Sequence, residues 1–193
     1  MLAPEGHLFF TFASASATAD VVIATLGPAG TSSEQAAHYF AAIRGGEASG
    51  VHLAASYEQA LEHALEDSSV MVVVANAYSN INVFYMHPRL LIDTVFFCHT
   101  PKYGLAARGD LADGGYSVAS HPDPVPLIDE LSPAGFKCDE VIYMASTSGA
   151  ADFVASKKGE VALTTEIAAA RRGLKFISST RPIPMVWTVF RRA

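Results

Sequence analysis

An α/β fold is what this sequence predicts. Short continuous apolar runs recur along the chain, amphipathic stretches separate most of them, and clusters of Gly, Pro, Ser and Asn mark the junctions. Apolar strands alternating with helices imply a mostly parallel sheet covered on both faces.

The elements follow in order. Asp20-Val21-Val22-Ile23-Ala24-Thr25 is rich in β-branched residues and reads as a strand, with 34–43 as the helix after it. Residues 51–54 read as a strand, 57–65 as a helix and 70–74 as a third strand. The stretches 90–98 and 103–107 are extended; 116–119 is a strand, 125–131 a helix and 140–143 a strand. Helices over 149–156 and 166–172 flank a strand at 161–163, and strands at 174–177 and 186–190 close the chain. Loops at 79–82, 99–101 and 178–182 divide it into an N-terminal arm over 1–19, a first lobe from 20–94 and 179–193, and a second lobe from 95–178.

Composition narrows the function. Of 193 residues, half are hydrophobic and 17% charged, enough apolar surface for a packed core and too much for a disordered chain. A net charge of −6 with no Lys/Arg-rich run repels phosphate backbones, so nucleic acid is not an expected partner. Charged groups interrupt every apolar run before the roughly 20 residues of a membrane span. The apolar start at Leu8 to Phe12 lacks the basic n-region of a secretory signal, the first Lys or Arg being Arg44, so a cytoplasmic protein is expected. Cys98 and Cys138 cannot build a disulfide framework or a CxxC site, and seven histidines show no HxxxH or HExxH spacing, so no metal is expected.

Two hydroxyl-rich segments stand between a strand and a helix. In Gly27-Pro28-Ala29-Gly30-Thr31-Ser32-Ser33-Glu34, the glycines permit a tight turn and Thr31, Ser32 or Ser33 can cap the helix. It is neither a P-loop nor GxGxxG, so a plain capped turn and an anion site both fit. Ser146-Thr147-Ser148-Gly149 repeats the pattern, and two such starts together point to a small organic anion. His121, in Ser120-His121-Pro122 after a strand, is either structural or a ligand contact; Glu166, one turn after Leu163-Thr164-Thr165, is either a dipole partner or an active-site acid. Asn76-Ala77-Tyr78 and Phe84-Tyr85-Met86-His87 interleave aromatic and polar groups, as core packing or as a pocket wall.

In register, these segments resemble the prephenate dehydratase-domain family. Gly27 to Ala37 looks like its GPxGTxSxxAA opening, Ser120-His121-Pro122 like its SHPQ segment, Ser146 to Ala151 like STxxAA, and Val161 to Ala169 with Gly173-Leu174 like AAIASxxAA followed by YGL. The resemblance runs from about residue 20 to the end. It implies two α/β lobes similar to type II periplasmic binding proteins, with mixed, mostly parallel sheets and an inter-lobe cleft. It also carries departures. Where dehydratases have the Thr and Arg of a Thr-Arg-Phe motif, this chain has Met185 and Val186, which neither donate a proton nor bind an anion. Asn76-Ala77-Tyr78 replaces the family's Glu-Asn-Ser, and no regulatory ACT domain is expected.

One branch shares these departures, the prephenate decarboxylases of bacilysin/anticapsin type. It is similar in the GTSSE variant, the NAY-like and FYMxP segments, Thr100-Pro101-Lys102-Tyr103-Gly104-Leu105-Ala106 and the IPMxW ending. The branch implies non-aromatising decarboxylation of prephenate in antibiotic biosynthesis, with no cofactor. Carbon dioxide leaves, the ring hydroxyl stays, and a ring carbon is protonated. Catalytic candidates are Tyr78, Tyr103, His121 and Glu166, with His87 also considered. Candidates for holding the substrate are Thr31, Ser32, Ser33, Asn76, Ser146, Thr147, Ser148, Thr164, Met185 and Val186. Prephenate is the expected partner and a homodimer the assembly considered. A dehydratase making phenylpyruvate and a non-catalytic carboxylate-binding protein remain as alternatives.

Overall fold

The computed structural model describes residues 9–11, 21–44 and 50–193, so most of the expected arm over 1–19 lies outside the described residues. In chain order the elements are β1 (Phe9–Thr11), β2 (Val22–Leu26), α1 (Ser32–Ile43), β3 (Val51–Ala54), α2 (Tyr57–Glu66), β4 (Val70–Ala75), α3 (Asn82–Tyr85), β5 (Leu90–Phe97), β6 (Tyr103–Ala107), β7 (Gly114–Ser120), α4 (Leu127–Leu131), β8 (Phe136–Tyr143), α5 (Thr147–Ala155), β9 (Val161–Thr165), α6 (Glu166–Arg171), β10 (Lys175–Phe176) and β11 (Val186–Arg192). They form two compact units. One holds the described residues up to Gly27 with Ser33–Thr100 and Pro184–Ala193; the other holds Pro28–Ser32 and Pro101–Ile183. The loop before α1, with Ser32, therefore belongs to the second unit.

The first unit is a six-stranded sheet in the order β1-β5-β11-β4-β2-β3. β4 explains its burial on both faces, because successive strand residues point to opposite sides. Val70, Val72 and Val74 enter a core with Ala60 and Leu61 of α2 and Phe84 of α3. Met71 and Val73 enter the opposite core with Ala36, Ala37 and Phe40 of α1. β11 repeats the alternation, Phe190 facing one core and Trp187 and Val189 the other. Ser56 caps α2 by accepting the Gln59 N–H at 3.1 Å, while Gln59 Oε1 accepts the Ala55 N–H at 2.8 Å.

In the second unit the order is β10-β6-β9-β7-β8. Leu105, Val118, Val161 and Leu163 pack against Leu127, Ile128 and Leu131 of α4. The other face is made of small residues: Ala106, Ala119 and Ala162 meet Ala150 and Ala151 of α5 and Ala168 and Ala169 of α6. Alanine on both sides brings these helices close to the sheet.

Both sheets are mixed. The β2–β3, β2–β4, β7–β8 and β7–β9 pairs are parallel, and the others are antiparallel. Burial on both faces does not report direction: β6 is buried throughout yet runs antiparallel to β9, and β11 runs antiparallel to β4 and β5. Asn82 ends the expected 79–82 loop and no helix is expected beyond it, but Asn82–Tyr85 form α3, anchored by Phe84 against Phe190 at 5.4 Å between ring centroids. The helix expected from 125 starts at Leu127, since Pro122, Pro124 and Pro126 occupy the turns before it. β8 begins at Phe136 rather than 140, paired with the Gly114-Gly115 start of β7 that propensity disfavours. Among the described residues, no helix is long and apolar enough to cross a membrane.

Two substitutions of opposite sign test this packing. Ala162→Leu overfills the alanine layer and should cost about 1–3 kcal/mol, read as a lower urea midpoint. Lys157 holds φ 60° just beyond α5, and Lys157→Gly should recover about 1 kcal/mol. A full-stability Ala162→Leu protein would show the layer to be loosely packed.

Candidate active site

Ligands of open α/β sheets gather at the carboxyl ends of parallel strands, where helix N-termini begin. In the second unit β7, β8 and β9 end at Ser120, Tyr143 and Thr165, and antiparallel β6 starts at the same edge, Tyr103 pairing with Thr165. His121, Ser146 to Ser148, Thr164, Glu166 and Tyr103, far apart in sequence, therefore share one edge.

Their hydroxyls are mostly committed. Ser146 Oγ caps α5 by accepting the Gly149 N–H at 2.9 Å. Thr164 Oγ1 donates to the Thr147 carbonyl at 2.7 Å, and Thr165 Oγ1 donates to the Gly30 carbonyl at 2.7 Å. The Tyr103 phenol lies 2.7 Å from Ser32 Oγ and also hydrogen-bonds the Thr147 hydroxyl, so the first residues of α1 and α5 meet at one oxygen. Burial raises the Tyr103 pKa above the usual phenol value, against those two hydrogen bonds. Ser148 is fully buried, and among the described residues its Oγ is the one buried side-chain polar atom without a hydrogen-bond partner. Gly30, at φ 95°, passes beside it: a Cβ there would stand 3.3 Å from that oxygen.

His121 and Glu166 lie at the rim. The His121 Nδ1 lies 3.3 Å from the Asp123 backbone nitrogen and 3.3 Å from its carboxylate, so Asp123 holds that side of the ring. Glu166 is exposed, its carboxylate accepting the Lys102 N–H at 3.1 Å.

In the first unit the carboxyl ends of β2 and β4 and the start of β11 share an edge, Ala75 pairing with Trp187. Asn76, Tyr78, Met185 and Val186 sit there. Tyr78 donates to the Glu58 carboxylate and packs 4.7 Å from the Tyr57 ring. Burial first, then the Glu58 hydrogen bond and charge, push the Tyr78 pKa up to about 12, while the same hydrogen bond holds Glu58 below the usual carboxylate range. Ser33 turns to Tyr57, its Oγ 2.9 Å from the phenol, apart from Thr31 and Ser32. Met185 lines the Trp187 core and offers its carbonyl to the Cys98 N–H at 3.0 Å; Val186 is 41% exposed. Glu58, Tyr85 and Thr188 complete this edge, and no motif marks Glu58 or Thr188, each a single residue inside a regular element. A cavity of about 250 Å³ lined by His52, His63 and Glu66 lies at the opposite edge, where β2 and β4 begin at Val22 and Val70. Among the described residues, no three His, Cys, Asp or Glu side chains are placed to hold a metal ion.

No family model matches the chain. Over 179 residues it is 37% identical to a prephenate decarboxylase of Bacillus amyloliquefaciens, covering 88% of this chain and 86% of that one. It is 35% identical over 179 residues to a prephenate decarboxylase of Planktothrix agardhii (strain NIVA-CYA 126/8), covering 89% and 88%. Among solved structures, a prephenate dehydratase from Arthrobacter aurescens in complex with L-Phe superposes with a TM-score of 0.69 at 16% identity, over 90% of this chain and 61% of that one, a likeness of fold.

The Tyr78–Glu58 pair yields a titration test. Because the fold favours the neutral phenol and the ionised carboxylate, the pair contributes stability that is complete from above the ordinary carboxylate range up to pH 10, is lost as pH rises through about 12, and is lost again in acid as Glu58 takes up its proton. Glu58→Gln removes the charge and leaves the burial. The phenolate titration of Tyr78, isolated as the difference from Tyr78→Phe, should then move from about 12 toward 10. An unmoved midpoint would show that burial alone sets it.

Proposed function

The chain belongs to the prephenate decarboxylase family, and from that premise we propose that it removes carbon dioxide from prephenate without aromatising the ring. The bond from ring to carboxylate breaks, its electron pair enters the ring diene, and a ring carbon takes up a proton. The carbinol hydroxyl remains, and the product is a dihydro-4-hydroxyphenylpyruvate. The ring diene itself accepts the electron pair, so the chemistry asks the protein for an anchor, a dry surface and a proton.

The observation that carries this reading is the start of α5. A buried hydroxyl without a partner, at the first turn of a nine-residue helix whose backbone N–H groups point outward, suits a carboxylate. We assign the pyruvyl carboxylate of prephenate to it. The absence of Thr and Arg at Met185 and Val186 supports the non-aromatising outcome: neither side chain can protonate a departing hydroxide. For the proton we assign His121, whose Nδ1 side is held by Asp123, on the same edge as Ser148. The Tyr78 proton is held by Glu58, and the Tyr103 oxygen by Ser32 and Thr147. Cys98 and Cys138 are both free thiols, and we place the protein in the reducing cytoplasm, which cell fractionation tests.

Proton NMR of prephenate incubated with the protein decides the reaction. Non-aromatic vinyl signals with a retained carbinol proton are expected; phenylpyruvate above the spontaneous rate, or unchanged prephenate, would overturn the proposal. Met185→Thr with Val186→Arg should raise phenylpyruvate, and no rise would remove those two positions from the control of outcome.

Single substitutions separate the roles in the same assay. Ser148→Ala should raise KM roughly 10- to 100-fold, the worth of one hydrogen bond to a charged group, with no loss of thermal stability because the hydroxyl has no partner in the free protein. His121→Asn should lower kcat by about 10²–10⁴. A stable Ser148→Ala enzyme with unchanged KM would move the anchor elsewhere.

A further inference from the structure

Ser148 Oγ is fully buried, so a carboxylate reaches it only after something that lies against it withdraws. One such neighbour is the segment Pro28–Ser32, which belongs to the second unit together with Ser148. At Gly30 a Cβ would stand 3.3 Å from Ser148 Oγ and 3.3 Å from Ala168 Cα. Ala168 is fixed in the alanine layer of α6. The 28–32 segment lies outside every strand and enters a helix only at Ser32, so it is the part that can yield.

Two side chains pin that segment, and they are partners in one row of the sheet. Tyr103 of β6 pairs with Thr165 of β9. Thr165 Oγ1 donates to the Gly30 carbonyl at 2.7 Å, and the Tyr103 phenol lies 2.7 Å from Ser32 Oγ. The two pins differ in what their loss would leave. Thr165 is fully buried and also caps α6 by accepting the Ala168 N–H at 3.1 Å, so releasing it strands a backbone carbonyl. The Tyr103–Ser32 bond joins two hydroxyls. When it opens, the half-buried Ser32 turns to water and the phenol keeps Thr147, so no polar group is orphaned.

We infer that the Tyr103–Ser32 bond is a latch on the carboxylate anchor, holding Pro28–Ser32 against Ser148 until a carboxylate takes the hydroxyl, an inference that rests on the assignment of the pyruvyl carboxylate to Ser148. Tyr103 neither touches substrate nor gives it a proton in this account; it acts through the position of the segment. The latched form competes with the ligand, and the apparent affinity is reduced by the fraction of molecules that are unlatched. A device of this kind has a signature that ordinary contacts lack: cutting it tightens binding.

Calorimetric titration of the full chain with phenylpyruvate, which carries the pyruvyl carboxylate and requires no turnover, tests this. Tyr103→Phe keeps the ring and removes the latch, and should lower the dissociation constant about two- to tenfold, the worth of one neutral hydrogen bond. A residue with a merely structural role would weaken binding when altered. Ser32→Ala makes the same cut from the other side, on a half-buried residue, and decides the matter if Tyr103→Phe does not fold. The two together should tighten binding no further than either alone, and in Ser148→Ala the effect of Tyr103→Phe should vanish. Unchanged or weaker binding in the single variants, or a tightening that survives Ser148→Ala, overturns the latch and leaves the anchor standing. Wild-type affinity in Ser148→Ala alone overturns the anchor and the latch with it, whatever becomes of prephenate in the activity assay.

Discussion

A sheet covered on both faces by helices has only its ends left to meet a ligand, and that constraint organises both units. Val70 to Val74 are spent on two cores, as are Val161, Ala162 and Leu163, so these central strands open no mid-strand side chain to solution. Polar groups that are to touch a small molecule must sit just beyond the strands. There the parallel strands β7, β8 and β9 deliver His121, Ser146 to Ser148 and Glu166, and β4 delivers Asn76 and Tyr78. Helix starts at the same ends add backbone donors, which is how a protein of net charge −6 offers an anion a local positive field.

Neutral groups dominate these edges. Arg44, Arg172 and Arg181 pair with Asp93, Asp152 and Glu130. Beside the carboxylates of Glu58 and Glu166, what remains at the ends of the strands is hydroxyl, carboxamide, phenol and imidazole. Such groups orient a substrate and hold its oxygen atoms, but few of them can drive off a poor leaving group. Losing neutral carbon dioxide needs no acid at the leaving group, whereas losing hydroxide does, so the set of side chains favours the first of two routes open to the same molecule.

The fold was legible where burial and periodicity coincide. The runs at 22–26, 70–75 and 161–165, and the helices over 32–43 and 57–66, fall within a few residues of their sequence-based positions, because apolar pattern and capping residues are local properties. Strand direction was not local: β4 pairs parallel with β2 on one side and antiparallel with β11 on the other. α3 was obscured because four residues are too few to show a period, and its stability comes from Phe84 in the core.

Of the candidate residues, the sequence by itself determined the chemical types and their grouping into segments: hydroxyls at helix starts, a histidine after a strand, apolar side chains at 185 and 186. It also determined the family, through segments in register from about residue 20 onward. Only the tertiary structure decided which of these groups are already satisfied. Ser146, Thr164 and Ser33 spend their hydroxyls on Gly149, Thr147 and Tyr57, whereas Ser148 does not. Thr188 becomes a partner of Asn76 across 112 positions of sequence. The reason is that hydrogen-bond capacity is written in the residue type, but its use depends on which distant groups the sheet register brings within about 3 Å.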